Sequence, residues 1–159
     1  MNEYDVAQIC ENGHLITPSA QKNPEDCQPF CDECGQPTIK ECKECKEQIK
    51  GYKRFGGIGV VYEYACPKFC HRCGKPYPWT EKTLDATKKY VGEIKELKPE
   101  ERELLIKNIE DIVKATPSQQ ISIFDFKKLL AKMNSASREM IIALLKDIFN
   151  ETVKKTIGM

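Results

Sequence analysis

The sequence predicts a small metal-stabilised region of short β-hairpins and loops, followed by an all-α helical bundle. Three observations support this fold class. All nine cysteines lie between Cys10 and Cys73, and none lies in the last 86 residues of the 159-residue chain. Seven of the nine prolines lie within residues 1–79, as is typical of loops and turns. Beyond residue 79 the apolar residues recur at helical spacing, so we place a domain boundary there.

The first region contains one clear strand signal. Residues 58–64 read Ile-Gly-Val-Val-Tyr-Glu-Tyr and follow a Gly56-Gly57 turn, so we expect a hairpin strand there. Apolar residues are otherwise sparse in residues 1–79. At roughly 25 cal/mol per Å² of buried apolar surface, such a segment does not offset its own backbone entropy. Bound metal is therefore the expected source of its stability.

About four helices are expected in residues 80–159. The first starts at Thr80 and runs until Pro99 interrupts it. Pro99 also suits the first turn of the second helix, where Glu100 and Glu101 favour the positive end of the helix dipole. Apolar positions mark both helices: Leu84, Val91, Ile94 and Leu97 in the first, and Leu104, Leu105, Ile109, Ile112 and Val113 in the second.

The third helix is expected to begin at a capping box, with Thr116 as the cap, Pro117 at the first helical position and Gln119 completing the box. It extends to Met133. The last helix follows residues 134–137 and presents one wide apolar stripe. A bundle of this size gains stability by association, so a homodimer through the C-terminal helices is a hypothesis. The stripe consists of Ile141, Leu144, Leu145, Ile148, Phe149 and Val153.

Eight residues of the first region have the types and spacing of metal ligands. They form four pairs: Cys10 and His14, Cys31 and Cys34, Cys42 and Cys45, and Cys70 and Cys73. Zinc prefers four thiolate or imidazole ligands in a tetrahedron, and a Cys-x-x-Cys turn brings two sulfurs onto one ion. Glycines in or after three of these pairs supply the backbone freedom that the turns need: Gly13, Gly35 and Gly74. Eight ligands fill two tetrahedra, so we predict two structural Zn²⁺ ions and a double zinc-ribbon domain at residues 1–79.

The sequence leaves the sharing of these ligands open. Sequential pairing joins the first pair to the second and the third to the fourth, whereas crossed pairing, as in RING-type modules, joins the first to the third and the second to the fourth. The hairpin signal between Cys45 and Cys70 favours sequential pairing. Cys27 and Cys66 are left over as free thiols, although Cys27 is an alternative to His14 as the fourth ligand. A four-sulfur site also leaves iron open as an alternative to zinc.

Several motifs together resemble one known family. The motifs are Cys-x-x-Gly-His at Cys10–His14, Phe-Cys-x-x-Cys-Gly at Phe30–Gly35, Cys42-x-x-Cys45, Phe-Cys-His-x-Cys-Gly-Lys-Pro-Tyr-Pro-Trp-Thr at Phe69–Thr80, and, in the tail, Thr116-Pro117, Gln120, Phe126–Leu130 and Glu151–Lys155. Over nearly its whole length the chain resembles a bacterial domain-of-unknown-function family of small double zinc-ribbon proteins with a helical tail. The resemblance implies this fold and the bound zinc, and it implies no particular activity.

Composition narrows the classes of function. The net charge is +1, and residues 1–80 carry ten basic and eleven acidic side chains. With seven coordinating thiolates and two Zn²⁺ ions these residues would have a net charge of about −4, which argues against non-specific phosphate binding. No apolar stretch is long enough to span a membrane and no signal peptide is evident, so we expect a cytoplasmic protein without a membrane partner. Thiols are kept reduced there, which favours metal ligands over disulfides.

The expected function is a non-enzymatic zinc-ribbon adaptor that binds protein. A site with four protein ligands has no open position for a substrate, and residues 80–159 contain no His or Cys, so we predict no catalytic residues. The alternative is a nucleic-acid-binding regulator that uses the basic segment Lys40–Arg54 and nearby aromatic side chains. A zinc- or redox-sensing role is a third interpretation. The aromatic residues, which equally suit a core, are Tyr52, Phe55, Tyr62, Tyr64, Tyr77 and Trp79.

Overall fold

The computed structural model describes residues 3–53 and 63–159. The chain divides into two compact units, Met1–Lys82 and Thr83–Met159. This division lies three residues beyond the boundary expected after residue 79. Among the described residues, no helix is long and apolar enough to cross a membrane.

Within residues 3–53 and 63–82, the first unit contains five short strands in two antiparallel sheets. The strands are β1 (Tyr4–Val6), β2 (Gln8–Cys10), β3 (Leu15–Thr17), β4 (Thr38–Ile39) and β5 (Lys50–Lys53). β2 lies between β3 and β4, with Ile9 opposite both Leu15 and Ile39. β1 pairs with β5, which places the start of the chain beside residues 50–53. The first ten residues therefore pair with β4, which precedes Cys42, and with β5, which follows Cys45.

The strand expected at residues 58–64 falls largely outside the described part of the chain. Residues 58–62 and the Gly56-Gly57 turn lie there, and the described Glu63 and Tyr64 belong to no strand. The short strands that the structure does contain were not predicted. Each has two to four residues, which is too few for an alternating pattern to stand out.

The core of the first unit is small and contains two of the predicted ligands. Its buried residues are Ala7, Ile9, Cys42, Ile49, Cys70, Tyr77 and Trp79. Tyr77 and Trp79 stack with ring centroids 4.8 Å apart and an interplanar angle of 16°. The indole Nε1 of Trp79 also donates a hydrogen bond of 2.9 Å to the backbone oxygen of Pro67. These two aromatic residues are therefore core residues.

Five helices follow: α1 (Pro78–Glu93), α2 (Pro99–Lys114), α3 (Gln119–Lys132), α4 (Ser135–Leu145) and α5 (Glu151–Ile157). Together with the cysteine-rich first unit they confirm the predicted fold class. α2 begins at Pro99 as expected, and the Glu101 carboxylate accepts a hydrogen bond of 2.9 Å from the backbone N–H of Lys98.

The capping box expected at Thr116 is absent, because α3 begins three residues later at Gln119. The side chain of Gln119 instead donates a hydrogen bond of 3.0 Å to the backbone oxygen of Ile112 near the end of α2. The hydroxyl of Thr116 lies 3.1 Å from that of Ser118. Residues 116–118 thus form a turn between the two helices.

The single last helix that the apolar stripe predicts is divided into α4 and α5. Each part has its own asparagine cap: Asn134 accepts a hydrogen bond of 2.8 Å from the backbone N–H of Ser137, and Asn150 accepts one of 2.9 Å from that of Val153. Residues of the stripe on both sides of this break lie in the core of the second unit. Five of its six residues are buried: Ile141, Leu145, Ile148, Phe149 and Val153.

Candidate metal centres

Three Cys-x-x-Cys turns of the first unit share one backbone pattern. In each turn the first cysteine's N–H donates to the carbonyl five residues ahead, and its carbonyl accepts from the N–H four residues ahead. The first bond joins Cys31 to Gln36 (2.9 Å), Cys42 to Glu47 (2.8 Å) and Cys70 to Lys75 (2.8 Å); the second joins Gly35 to Cys31 (2.8 Å), Lys46 to Cys42 (3.0 Å) and Gly74 to Cys70 (2.9 Å). We call these three turns knuckles 1, 2 and 3.

The position after the second cysteine has a left-handed backbone in every knuckle. Gly35 and Gly74 have φ angles of 70° and 72° there, which confirms their predicted role as permissive turn residues. In knuckle 2 the same position holds Lys46, with a φ of 61°. The glycines after Cys34 and Cys73 could have revealed the left-handed position of Lys46 from the sequence, because all three residues directly follow the second cysteine of a pair.

A fourth turn, Cys10–His14, is built differently. The N–H of Gly13 donates to the carbonyl of Cys10, and the N–H of Cys10 donates to the carbonyl of His14, both at 2.9 Å. The His14 N–H lies 3.3 Å from Cys10 Sγ and donates to it. Gly13 has a φ of 93°, so the predicted turn at this glycine is present.

The structure brings the eight predicted ligands together in two groups. One group contains Cys10, His14, Cys31 and Cys34, and the other contains Cys42, Cys45, Cys70 and Cys73. Within each group the ligand atoms lie within 4.8 Å of one another. This is the sequential arrangement, with His14 rather than Cys27 in the fourth position. We call them the Cys10 group and the Cys42 group.

In the Cys10 group the imidazole presents Nδ1 to the sulfurs. His14 Nδ1 lies 3.5 Å from Cys10 Sγ and 3.6 Å from Cys31 Sγ, and the sulfurs of Cys10 and Cys34 are 3.7 Å apart. The other ring nitrogen, Nε2, lies 3.9 Å from a carboxylate oxygen of Glu33. Metal-bound histidines commonly donate this second ring N–H to a carboxylate, and Glu33 is near but beyond hydrogen-bond distance.

The Cys42 group offers four sulfurs. Cys42 Sγ lies 3.7 Å from Cys73 Sγ, and Cys45 Sγ lies 3.6 Å from Cys70 Sγ. Cys42 and Cys70 are buried, whereas Cys73 is exposed. Each of these two short distances joins a sulfur of knuckle 2 to a sulfur of knuckle 3, so the two knuckles face each other across the group.

These distances fit one tetrahedral ion in each group. Metal–sulfur bonds of about 2.3 Å and metal–nitrogen bonds of about 2.0 Å separate two sulfurs by about 3.8 Å, and a sulfur from a nitrogen by about 3.5 Å. A disulfide would need a sulfur–sulfur distance of about 2.05 Å, and all nine cysteines are free thiols. Two groups that could each hold a metal ion are therefore present.

Backbone hydrogen bonds favour the thiolate at two of the ligand cysteines, whereas burial and neighbouring thiols raise the pKa of three others, Cys10, Cys45 and Cys73. The backbone of Gln36 lowers the pKa of the Cys34 thiol below its usual value. Burial alone would raise the pKa of Cys70, but N–H groups of Cys73 and Arg72 donate to its sulfur and hold the pKa at about 6. The thiolate is the form that binds a metal ion.

The two remaining cysteines lie outside both groups. Cys27 Sγ faces the backbone oxygen of Ala20 at 3.8 Å, and Cys66 Sγ faces that of Gly13 at 3.6 Å. Burial raises the pKa of the Cys66 thiol to about 11. His71 is exposed, as a residue between two ligands is expected to be, and its Nε2 lies 3.8 Å from Glu47.

Three lysines of the basic segment Lys40–Arg54 pair with neighbouring carboxylates. Lys43 pairs with Glu11 at 2.5 Å, Lys46 with Glu41 at 3.7 Å and Lys53 with Glu3 at 2.5 Å. Among the aromatic residues named for base stacking, Tyr77 and Trp79 are buried. Tyr52 and Tyr64 are half-buried and pack edge to face, with centroids 5.9 Å apart. Arg54, Phe55 and Tyr62 lie outside the described residues.

Fold and site together define a class of protein: short strands with two Cys/His groups that could hold metal ions, followed by a helical C-terminal region. The chain belongs to the bacterial family described as "Uncharacterized protein conserved in bacteria (DUF2321)", whose model matches residues 3–157. This confirms the resemblance found in the sequence. No curated protein and no solved structure matches the chain.

Proposed function

We propose that this protein is a non-enzymatic, cytoplasmic binding module whose first unit is a zinc ribbon held by two structural Zn²⁺ ions. The supporting observation is the spacing of the ligand atoms, with sulfur–sulfur distances of 3.6–3.7 Å and sulfur–nitrogen distances of 3.5–3.6 Å. These are close to the edges of a zinc tetrahedron. Seven cysteines that serve as metal ligands also suit a reducing compartment, where thiols are not oxidised to disulfides.

The ions in this proposal are structural because each group supplies four protein ligands. A catalytic zinc keeps one position open for water or substrate, and a filled tetrahedron has none. The energy of metal binding then becomes folding energy of the first unit. Two of the ligands, Cys42 and Cys70, belong to the hydrophobic core itself, so the ion and the core would form together.

The proposed partner is a protein rather than a nucleic acid. Phosphate binding requires accessible positive charge, whereas Lys43, Lys46 and Lys53 are paired with carboxylates. Ile121 and Phe124 are 67% and 59% exposed and lie three residues apart on one face of α3, which offers an apolar surface to a protein partner.

The metal content of the purified full-length chain tests the proposal. We expect two Zn²⁺ per chain by elemental analysis. The Cys31→Ser/Cys34→Ser variant is expected to retain one ion, and the matched variant Cys27→Ser is expected to retain two, because Cys27 lies outside both groups. A wild-type chain that is folded with fewer than two ions contradicts the zinc proposal. If elemental analysis finds iron in the Cys42 group, the zinc assignment of that group is wrong and its ion is iron.

Binding to nucleic acid and self-association test the partner class. Retention of DNA or RNA at about 50 mM salt that weakens as salt is added would contradict a protein partner. The stripe predicted for a homodimer is buried within the single chain, so we propose a monomer. Light scattering should then give the single-chain mass of 18.2 kDa. A mass of twice this value would contradict the monomer and support the homodimer hypothesis.

A further inference from the structure

The ligand turn of the Cys10 group is contacted by Lys43 of knuckle 2 and by residues that flank knuckle 3. Between the ligands Cys10 and His14 stand Glu11, Asn12 and Gly13. A carboxylate oxygen of Glu11 pairs with Lys43 Nζ at 2.5 Å, and its second oxygen lies 3.7 Å from Lys82 Nζ. Glu11 is the less exposed partner in both pairs, with 19% of its side-chain surface accessible.

The next two residues of the turn, Asn12 and Gly13, have contacts of their own. Lys82 Nζ donates a hydrogen bond of 3.2 Å to the side-chain oxygen of Asn12. The thiol of Cys66 donates to the carbonyl of Gly13 at 3.6 Å. A Cβ atom at Gly13 would lie 2.9 Å from Cβ of Trp79, so the backbone of the turn packs directly against this indole.

These contacts come from knuckle 2 and from residues that flank knuckle 3, including Lys82 near the start of α1. Lys43 lies between the two cysteines of knuckle 2. Cys66 and Trp79 lie on either side of knuckle 3, and Trp79 stacks on Tyr77, which belongs to the same core as Cys42 and Cys70. Knuckles 2 and 3 meet at the four sulfurs of their group, at this core, and at the ion pair of Glu47 with Arg72, which spans 2.7 Å. An ion in the Cys42 group would hold knuckles 2 and 3 together. It would thereby also position the residues that contact the Glu11–Gly13 turn.

We infer that the two metal sites are coupled, so that filling the Cys42 group positions the Glu11–Gly13 turn and raises the affinity of the Cys10 group for its ion. The inference rests on the proposed metal-binding function. Coupling between sites is reciprocal, so the Cys10 group raises the affinity of the Cys42 group by the same factor. Typical couplings change an affinity by about 5-fold to 150-fold.

Co²⁺ titration of the full-length apo-protein measures the coupling. Its absorption distinguishes an ion held by three thiolates and one imidazole from one held by four thiolates, so each group is followed separately. The affinity of the Cys10 group is compared between the wild type and the Cys42→Ser/Cys45→Ser variant. We expect the variant to bind at least about fivefold more weakly. Equal affinities, within twofold, would overturn the inference.

A second set of variants keeps all eight ligands. Lys43→Met/Lys82→Met removes both cations from Glu11 and should weaken Co²⁺ binding by the Cys10 group several-fold. Lys43→Arg/Lys82→Arg should restore it. The matched control Lys40→Met/Lys89→Met makes the same change in net charge at two exposed lysines and should bind as the wild type does.

The three results separate the inference from the proposal on which it rests. If the Lys43→Met/Lys82→Met variant binds as tightly as its control, the turn does not transmit the coupling and the inference is overturned. If the wild-type chain binds two ions with independent affinities, only the coupling fails. If the wild-type chain binds fewer than two ions, the zinc proposal itself fails. The fluorescence of Trp79, the only tryptophan, gives a second readout because it contacts the turn directly.

Discussion

Lys46 occupies a backbone conformation that the other two knuckles give to glycine. Its φ of 61° matches the 70° and 72° of Gly35 and Gly74. A left-handed backbone costs an ordinary L-residue roughly 1–2 kcal/mol, because Cβ approaches the following carbonyl oxygen. Knuckle 2 therefore contains local strain that knuckles 1 and 3 avoid.

Lys46→Gly should stabilise the first unit by about 0.5–1 kcal/mol, which is the relief of this strain less the backbone entropy that glycine loses on folding. The lost ion pair with Glu41 spans 3.7 Å between exposed groups and contributes little. The measurement is the urea midpoint at fixed Zn²⁺, followed by Trp79 fluorescence. Lys75→Gly, one residue later in knuckle 3 where φ is not positive, is the control and should destabilise. A lower midpoint for Lys46→Gly would contradict the strain.

The ligands themselves could be predicted from the sequence, whereas their supporting contacts could not. A Cys-x-x-Cys turn is a local structure, so its spacing alone determines which two sulfurs converge. The pair of Glu11 with Lys43 joins residues 32 positions apart, and nothing in the spacing of charges along the chain distinguishes it from Lys43 with Glu41 or Glu44. Only the folded knuckles bring these two side chains together.

The start of α4 is held by a carboxylate from outside the helix. Glu96, which lies between α1 and α2, accepts hydrogen bonds of 3.3 Å from the backbone N–H of Asn134 and from the hydroxyl of Ser137. Its side chain also contacts the Asn134 amide. Backbone N–H donors lower the pKa of Glu96 below its ordinary value of 4.5. A negative charge also favours the positive end of a helix dipole.

Glu96→Gln should lower the thermal midpoint of the helical signal at neutral pH. Because the folded pKa is depressed, the stabilisation by this carboxylate is present above pH 4.5 and is lost as the pH falls through the lower folded value. The difference in midpoint between wild type and variant should therefore shrink as the pH falls from about 5 to about 3. Circular dichroism at several pH values measures it. Glu103→Gln, an exposed carboxylate of α2, is the control, and a pH-independent difference would contradict the role of Glu96.

The start of α2 followed the sequence prediction, whereas the starts of α3 and α5 did not. Pro99 starts α2 as expected, because its ring fits only the first turn of a helix. Thr116 and Pro117 offered the same kind of signal, yet the side chain of Gln119 satisfies a carbonyl of α2 and the turn extends to Ser118. The break before α5 had a signal as well, since Asn150 is a preferred cap, but the continuous apolar stripe obscured it.

The two units differ in what stabilises them. In the second unit, residues of every helix contribute to an ordinary apolar core, and this unit contains no cysteine or histidine. The first unit has a core cluster of seven buried residues, two of which are proposed ligands. Metal removal should therefore affect the two units differently.

A strong zinc chelator added to the full-length chain should unfold the first unit and leave most of the helical circular dichroism. The expected evidence is a loss of packed Trp79 fluorescence and protease cleavage confined to residues before Thr83, read by mass spectrometry of the fragments. Re-addition of Zn²⁺ should restore both signals, because the metal energy is part of the folding energy of this unit. The buried residues of the second unit need no ion, so they serve as the internal control. Continued protection of the first unit in the presence of chelator would mean that its small apolar core suffices, and both the structural role of the ions and the coupling between them would then be wrong.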